Sequence, residues 1–173
     1  MELRIVEFSA AQLPHVQDFE CGSDDWCVLA TRWIQSAPPF PGALQSIDKH
    51  GNTVWLYFVD AVAEEFLVGF SSLGITKWPT PPPDGPRREV GFVPMLAVAS
   101  RFQGKPNSDD GKRYIDEMME HVVQQARERG YRELCLFVHA DNTRALRLYE
   151  GCGFAAIGRQ DERRLIRMFK RLN

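Results

Sequence analysis

The chain has 173 residues, of which 44% are hydrophobic and 25% are charged, and its formal net charge is −2. This length and composition are typical of one globular domain with a single core. The near-neutral charge excludes a strong overall attraction to nucleic acid or to an anionic membrane, and no apolar run approaches the roughly 20 residues that cross a bilayer.

The amino-terminal residues and the cysteines bear on location. The first eight residues lack the basic start and long apolar run of a signal peptide. The cysteines are scattered and form no C-x-x-C pair: Cys21, Cys27, Cys135 and Cys152. We therefore expect four reduced thiols in a cytoplasmic protein without a membrane anchor. The four histidines have no metal-ligand spacing, so no metal is expected.

The first part of the chain is predicted to hold one strand, two helices and a proline-rich loop. Their ranges are Leu3–Phe8, Ala10–Phe19, 23–35 and 37–42. Ser23 or Asp24 can cap the second helix. Three strands are expected next, at Thr53–Val59, Phe66–Leu73 and Val90–Val98. The prolines of 78–86 predict a stiff exposed loop between the last two strands.

The clearest helix is predicted over Asp110–Arg129, where apolar residues recur at i, i+3, i+4 and i+7 and Gly130 follows. Leu134–Val138 is continuously apolar, which indicates a strand buried on both faces. Asn142–Glu150 is a short helix that Asn142 can cap. Two final strands are expected at Phe154–Ile157 and Leu165–Phe169. This order predicts a single-domain α/β (α+β) fold over residues 1–173, with helices on a largely antiparallel sheet.

Residues 142–154 carry the most specific motif, reading N-T-R-A-L-R-L-Y-E-G-C-G-F. This segment resembles the hallmark of the GNAT acetyltransferase superfamily, N-x-x-A-x-x-x-Y followed by G-F. Met95–Val98 and Phe102–Lys105 resemble the family's fourth strand and the start of its cofactor loop. The resemblance covers most of the chain and is weakest before residue 60.

The resemblance implies both a fold and an activity. The fold is a central mixed, mostly antiparallel sheet of about seven strands, flanked by about four helices, with a cleft where strands 4 and 5 splay apart. The activity is transfer of an acetyl group from acetyl-CoA to a primary amine, by direct attack within a ternary complex. The catalytic tyrosine corresponds to Tyr149, whose phenol would protonate the departing thiolate.

The same resemblance assigns residues to coenzyme A. Asn142 is expected to contact the pantetheine arm, and Ala145 is small where the cofactor passes the helix. Because Asn142 and Tyr149 lie two helical turns apart, they project from nearly the same face. Backbone groups of Met95, Ala97 and Val98 are expected to receive the thioester and the pantetheine.

The phosphate loop departs from the family pattern Q/R-x-x-G-x-G/A. Starting from Gln103, Pro106 and Ser108 stand where glycines are expected, and proline has no N–H to donate. Either the cradle is remodelled or cofactor binding is weakened, and Asp109 and Asp110 favour the second account. A remodelled cradle would use these residues: Gln103, Gly104, Lys105, Gly111, Lys112 and Arg113.

The general base and the acceptor site are less determined. Glu89 is the best candidate base, because some family members use a strand-four glutamate through water; a solvated edge charge is the alternative. His139 is either a proton relay or a structural histidine. Asp24, Asp25 and Trp26 lie where the family shapes its acceptor site, and the two acids would suit a cationic amine. Simple helix capping explains the same acids.

Two other functions are open. The altered loop is compatible with a catalytically silent acyl-CoA-binding or interaction module. The segment from Phe19 to Gly22 resembles a feature of toxin-type GNAT proteins that acetylate charged tRNA, although the net charge of −2 does not support a nucleic-acid partner. The acceptor is expected to be a small-molecule or peptide amine, and a homodimer is possible.

Overall fold

The computed structural model describes residues 2–36, 42–61, 64–79, 87–107, 111–160 and 164–172. Its elements in chain order are β1 (Arg4–Glu7), α1 (Leu13–Val16), α2 (Asp25–Ile34), α3 (Ala43–His50), β2 (Thr53–Ala61), β3 (Glu64–Pro79), β4 (Arg87–Phe92), β5 (Leu96–Val98), α4 (Tyr114–Glu128), β6 (Glu133–His139), α5 (Thr143–Gly151), β7 (Ala155–Gln160) and β8 (Leu165–Arg171). The predicted mixed α/β class with a mostly antiparallel sheet is confirmed. In these ranges there are eight strands and five α-helices, one more of each than expected.

The chain divides into two compact units. The first holds residues 1–72 and 95–120, and the second holds 73–94 and 121–173. Strand β3 and helix α4 each run through both units. That residues 1–173 form one domain stays a prediction, as does the splayed cleft, whose two strands belong to different units.

In the first unit, β1 and β2 pair antiparallel, as do β3 and β5. β1 pairs with β2 from Arg4 opposite Phe58 to Glu7 opposite Trp55, β2 neighbours β3, and β5 pairs with the first half of β3. Helices contribute to one apolar cluster with this sheet. Its buried members include Phe8, Val16, Phe19, Ile34, Leu56 and Phe70.

In this unit, one predicted helix differs from the structure and one helix was not predicted. The helix expected over Ala10–Phe19 is a 3-10 turn followed by a single α-helical turn, α1, with a proline in its first turn. Helix α3 was not predicted, because Leu44 and Ile47 are its only large apolar residues. Both pack on the core, and Gly51, at φ 62°, ends the helix with its N–H bonded to the Ile47 carbonyl at 3.0 Å.

The second unit has the strand order β3-β4-β6-β8-β7. β4 runs parallel to β6, and the other neighbours are antiparallel. The expected burial of β6 is largely confirmed: Leu134, Cys135, Leu136 and Val138 are buried, and Phe137 is 37% exposed. Gly91 faces β6 closely, since a Cβ there would lie 2.7 Å from a methyl carbon of Leu134.

The strand predicted over Val90–Val98 is interrupted. β4 pairs with β3 with Phe92 opposite Gly74, whereas β5 pairs with β3 with Leu96 opposite Ser71. The two ladders differ in register by one residue, as a β-bulge requires. Pro94 falls in the gap, where its missing N–H breaks no ladder hydrogen bond.

Other sequence expectations have mixed outcomes. Trp78 and Pro79 belong to the end of β3, and the remainder of the proline-rich loop, 80–86, lies outside the described residues, as do residues 37–41. The four cysteines are free thiols. No helix within the described ranges is long and apolar enough to cross a membrane.

Candidate active site

Helix α5 begins with a side-chain cap. The side-chain oxygen of Asn142 accepts a hydrogen bond from the Ala145 N–H at 3.0 Å, and the Asn142 carbonyl accepts the Leu146 N–H at 3.0 Å. The predicted cap is therefore present. In the described part of the chain, the Nδ2 group of Asn142 has no hydrogen-bond partner. It remains able to donate to a ligand.

Tyr149 lies two turns along the same helix. Its half-buried ring contacts Phe154 edge to face at a centroid distance of 5.9 Å. No described residue hydrogen-bonds with its hydroxyl. Burial, with a smaller contribution from the nearby Cys152, raises the pKa of Tyr149 to about 12. The phenol thus keeps its proton at neutral pH, as a general acid must.

His139 precedes α5 and has structural partners. Its carbonyl accepts the Asn142 N–H at 2.9 Å, and its Nδ1 atom accepts the Asp141 N–H at 3.4 Å. Asp141 also bonds Arg164 at 2.7 Å. These contacts fix the turn that leads from β6 into the capped helix.

Glu89 lies on β4 and is exposed, opposite Lys77 of β3. Because Gly91 is paired with Leu134, the parallel register puts Glu89 level with Arg132, just before β6 begins. Asn142 follows the other end of β6. The two ends are separated by about 20 Å of extended strand. Glu89 is therefore not brought next to the start of α5.

Strand β5 presents backbone amides. Ala99 N–H donates to Val68 C=O at 2.7 Å and Ser72 N–H donates to Met95 C=O at 2.9 Å. By the alternation of an antiparallel ladder, Met95 and Ala97 turn their backbone groups toward β3.

The residues between them, Leu96 and Val98, turn their backbone groups away from β3. Their N–H groups have no hydrogen-bond partner within the described ranges. Of the three predicted residues, Val98 thus has an available amide and Ala97 does not. The Met95 N–H is bonded to the Ser72 hydroxyl at 2.9 Å. Leu96 was missed, because its role depends on the bulge that shifts the register.

The side chain of Gln103 is hydrogen-bonded to two backbone carbonyls of the chain. Its amide nitrogen donates to the Val98 carbonyl at 2.9 Å and also to the Cys21 carbonyl. Both amide hydrogens are thus engaged with the chain itself. This joins the end of β5 to the segment before α2, and it leaves the Gln103 side chain without a hydrogen for phosphate.

The next two residues are more open. Gly104 is exposed and has φ 72°, a conformation that favours glycine. Lys105 is exposed, and no described residue pairs with its ammonium group. Arg101, close by in sequence, stacks over the Phe66 ring at 4.1 Å.

In the rest of the predicted cradle, residues 106–107 and 112–113 lie antiparallel as the two sides of a small hairpin. Pro106 pairs with Arg113, and the Asn107 N–H donates to the Lys112 carbonyl at 2.7 Å. Gly111 is exposed with φ 80°. Ser108, Asp109 and Asp110 lie outside the described residues.

Acidic side chains of α4 engage the cations of this hairpin. Lys112 bonds Glu120 at 2.5 Å, and Arg113 bonds Asp116 at 2.8 and 2.7 Å. The Arg113 guanidinium lowers the pKa of Asp116 by hydrogen bonding, so this carboxylate remains charged. The positive charge predicted for phosphate is therefore largely neutralised, which argues against a cradle at Lys112 and Arg113.

The acidic residues of the expected acceptor site lie at the start of α2. Asp24 caps the helix, accepting the Cys27 N–H at 2.8 Å, so the capping explanation holds for this residue. Asp25 is exposed in the first turn and Trp26 is half-buried. Capping occupies one oxygen of Asp24, and its charge stays at the surface.

Comparison with known proteins identifies the family. Residues 26–154 match the family model described as the acetyltransferase (GNAT) family, and the chain belongs to this family. No curated protein matches it.

Solved structures support the same fold at low sequence identity. The chain superposes on a bacterial toxin with a TM-score of 0.69 at 15% identity, covering 99% of this chain and 91% of that one. The PaiA N-acetyltransferase from Thermoplasma acidophilum in complex with coenzyme A gives 0.67 at 15%, with 99% of both chains covered. The NatC complex bound to Gag peptide and CoA gives 0.60 at 16%, with 100% of both chains covered.

The residues present fit acetyl-CoA in part. In the first unit, the amides of Leu96 and Val98, which have no partner among the described residues, are suited to a thioester oxygen. In the second unit, the Nδ2 group of Asn142 and the Tyr149 hydroxyl are suited to a pantetheine arm and its sulfur. At the phosphate end, Gly104 and Lys105 fit better than Lys112 and Arg113, because the latter are paired with α4.

Proposed function

We propose that this protein is an acyl-CoA-dependent N-acetyltransferase that transfers the acetyl group of acetyl-CoA to a primary amine by direct attack within a ternary complex. The observation that carries the proposal is the face of α5. There, Asn142 caps the helix through its side-chain oxygen, and Tyr149 has a hydroxyl with no hydrogen-bond partner among the described residues. The two residues have the spacing of the family motif.

The residues divide the chemistry. The amine nitrogen attacks the thioester carbon, whose oxygen would be received by the Leu96 or Val98 N–H of β5. The carbon–sulfur bond then breaks, and the Tyr149 phenol gives its proton to the departing thiolate. Asn142 binds the pantetheine arm, and the small side chain of Ala145 leaves room for it. Gly104 and Lys105 meet the phosphates.

The acceptor amine must lose a proton before or during attack. Glu89 remains the proposed base through water, and because about 20 Å of extended strand separates its level on β6 from the start of α5, it requires a chain of waters to reach an amine there. Asp24 and Asp25 attract the cationic form of the amine, which favours a small polyamine-like or peptide amine over a neutral acceptor.

A two-part experiment tests the function. Calorimetric titration of acetyl-CoA measures binding, and release of free CoA thiol across a panel of amines and peptide amino termini measures turnover. We expect micromolar binding and thiol release that depends on one class of amine. Absence of acetyl-CoA binding at high micromolar concentration would refute the proposal.

The paired hairpin cations favour one second candidate. With Lys112 and Arg113 bonded to α4, a weakened phosphate site suits a catalytically silent acyl-CoA-binding module. That function predicts binding with no thiol release from any amine in the panel.

A third candidate draws on charge distribution. Residues 121–173 hold eleven Lys and Arg against six Asp and Glu, so the net charge of −2 conceals a basic carboxyl-terminal part. This favours the toxin-type aminoacyl-tRNA acetyltransferase more than the total charge does. Acetylation of charged tRNA, lost as salt rises, would distinguish it from a small-amine enzyme.

A further inference from the structure

Ser72 makes three hydrogen bonds to Met95, the residue just before β5. Its hydroxyl accepts the Met95 N–H at 2.9 Å and donates to the Met95 carbonyl at 3.0 Å, and its own N–H donates to the same carbonyl at 2.9 Å. The side chain is fully buried, with 0% exposure. The hydroxyl gives the Met95 N–H its partner and gives the Met95 carbonyl a second one, beside the Ser72 N–H.

The register explains why a side chain is needed here. In an uninterrupted antiparallel ladder, the Met95 N–H would bond the carbonyl of the residue opposite it. The bulge between β4 and β5 disturbs that geometry, and the Ser72 hydroxyl takes the place of the carbonyl. Pro94, which has no N–H, needs no such substitute.

The Ser72–Met95 contact determines which residues of β5 turn their backbone groups toward β3 and which turn them away. With Met95 bonded to Ser72 and Ala97 facing Phe70, the amides of Leu96 and Val98 must face the other way. Gly69 contributes by close approach: a Cβ at this position would lie 2.3 Å from the Ala97 carbonyl oxygen. Gln103 holds the Val98 carbonyl from the opposite end.

We propose that Ser72 is a positioning residue for acyl transfer. It acts through the Met95 backbone to aim the Leu96 and Val98 amides at the thioester oxygen, without touching the substrate itself. This inference rests on the proposed acetyltransferase function. In this proposal, a buried hydroxyl on the neighbouring strand determines how accurately the Leu96 and Val98 N–H groups point at the thioester oxygen.

The adjacent residue supplies a matched control. Ser71 is equally buried, with 0% exposure, and its hydroxyl bonds the Tyr57 hydroxyl at 2.6 Å. Ser71→Ala and Ser72→Ala therefore each remove one buried hydroxyl from β3, but only Ser72→Ala releases a backbone group, the Met95 N–H that precedes β5. Ser72→Cys, which keeps a weak hydrogen-bonding group of similar size, serves if Ser72→Ala does not fold.

The test compares these variants with the wild type in denaturant unfolding, in backbone amide exchange without ligand, and in kcat and KM for acetyl-CoA. We expect similar losses of stability in the two alanine variants. Ser72→Ala should also show faster exchange at Met95 and Ala97, the amides that bond toward β3, and a kcat at least about tenfold below that of Ser71→Ala, with KM changed less. Ser72→Cys should fall between wild type and Ser72→Ala.

The outcomes separate the two levels of the proposal. If the wild type turns over and Ser72→Ala matches Ser71→Ala in kcat and exchange, the positioning role is wrong and the acetyltransferase function stands. If the wild type neither binds nor turns over acetyl-CoA, the function falls and the role of Ser72 in it falls too.

Discussion

Asn142 contacts Ala145 through its side-chain oxygen, at 3.0 Å from the Ala145 N–H. The cap thus uses the acceptor half of the amide and leaves the donor half, Nδ2, for another molecule. One residue can therefore begin the helix and bind the pantetheine arm at the same time. Capping and ligand binding use different atoms, so substitutions can separate them.

Replacing Asn142 with aspartate or alanine should distinguish these two tasks. Asn142→Asp keeps a capping oxygen and should change the free energy of unfolding by less than about 0.5 kcal/mol, whereas Asn142→Ala should cost about 1 kcal/mol. Both remove the Nδ2 donor, so both should weaken acetyl-CoA binding. Denaturant unfolding and calorimetry measure the two effects. Wild-type affinity in Asn142→Asp would remove the amide from the binding site.

Replacing Tyr149 with phenylalanine should affect turnover far more than binding. A positioned general acid contributes roughly 10²–10⁴-fold, so we expect kcat to fall by at least about 100-fold while the Kd for acetyl-CoA stays within about twofold. Tyr131→Phe is the control, because Tyr131 is also half-buried and burial likewise raises its pKa. Normal kcat in Tyr149→Phe with a good amine would exclude the phenol from the mechanism.

The burial of Tyr149 has a consequence for alkaline stability. The pKa of Tyr149 is about 12 in the folded protein, and the usual value is 10. The stability that the buried, protonated phenol contributes is therefore complete below pH 10 and is lost as pH rises toward 12. The wild type should lose about 1.4 kcal/mol more than Tyr149→Phe between pH 9 and pH 11. Urea unfolding at the two pH values measures this. Parallel losses would mean that the phenol is not desolvated.

Two lysines should differ in their effect on cofactor affinity. Lys105→Ala removes an exposed cation with no partner in the described part of the chain, and should weaken acetyl-CoA binding several-fold, with less salt dependence. Lys112→Ala removes a cation bonded to Glu120 and should change the affinity by less than about twofold. Titrations at low and high salt measure both. Equal losses in the two variants would mean that Lys112 also meets the phosphates despite its bond to Glu120.

The sequence predicted the elements whose pattern is strong. The apolar face of α4, the continuous apolar run of β6 and the capped motif of α5 are local signals, and each is found where the pattern indicates. Helix α3 has only Leu44 and Ile47 as anchors, so its formation depends on tertiary packing that periodicity does not report.

The candidate site was predicted less completely, for physical reasons. The α5 residues follow from a local motif. The β5 amides depend on a one-residue bulge for which Pro94 was the only signal in the sequence, and its effect on Leu96 needs the pairing with β3. The pairing of Lys112 with Glu120 depends on the turn closed by Pro106 and Arg113, so the loss of a phosphate cation could not be seen from composition.

The bulge between β4 and β5 also constrains how this chain can change. Removing one residue at 93–95 would let β3 form an uninterrupted ladder along its length, and the added hydrogen bonds would stabilise the sheet. The same deletion would put β4 and β5 on one register of β3, so that the Met95 N–H could bond the Ser72 carbonyl directly and would no longer need the Ser72 hydroxyl. The bulge and the buried Ser72 hydroxyl therefore depend on each other, and in a chain without the bulge we expect Ser72→Ala to cost less stability than it does in the wild type.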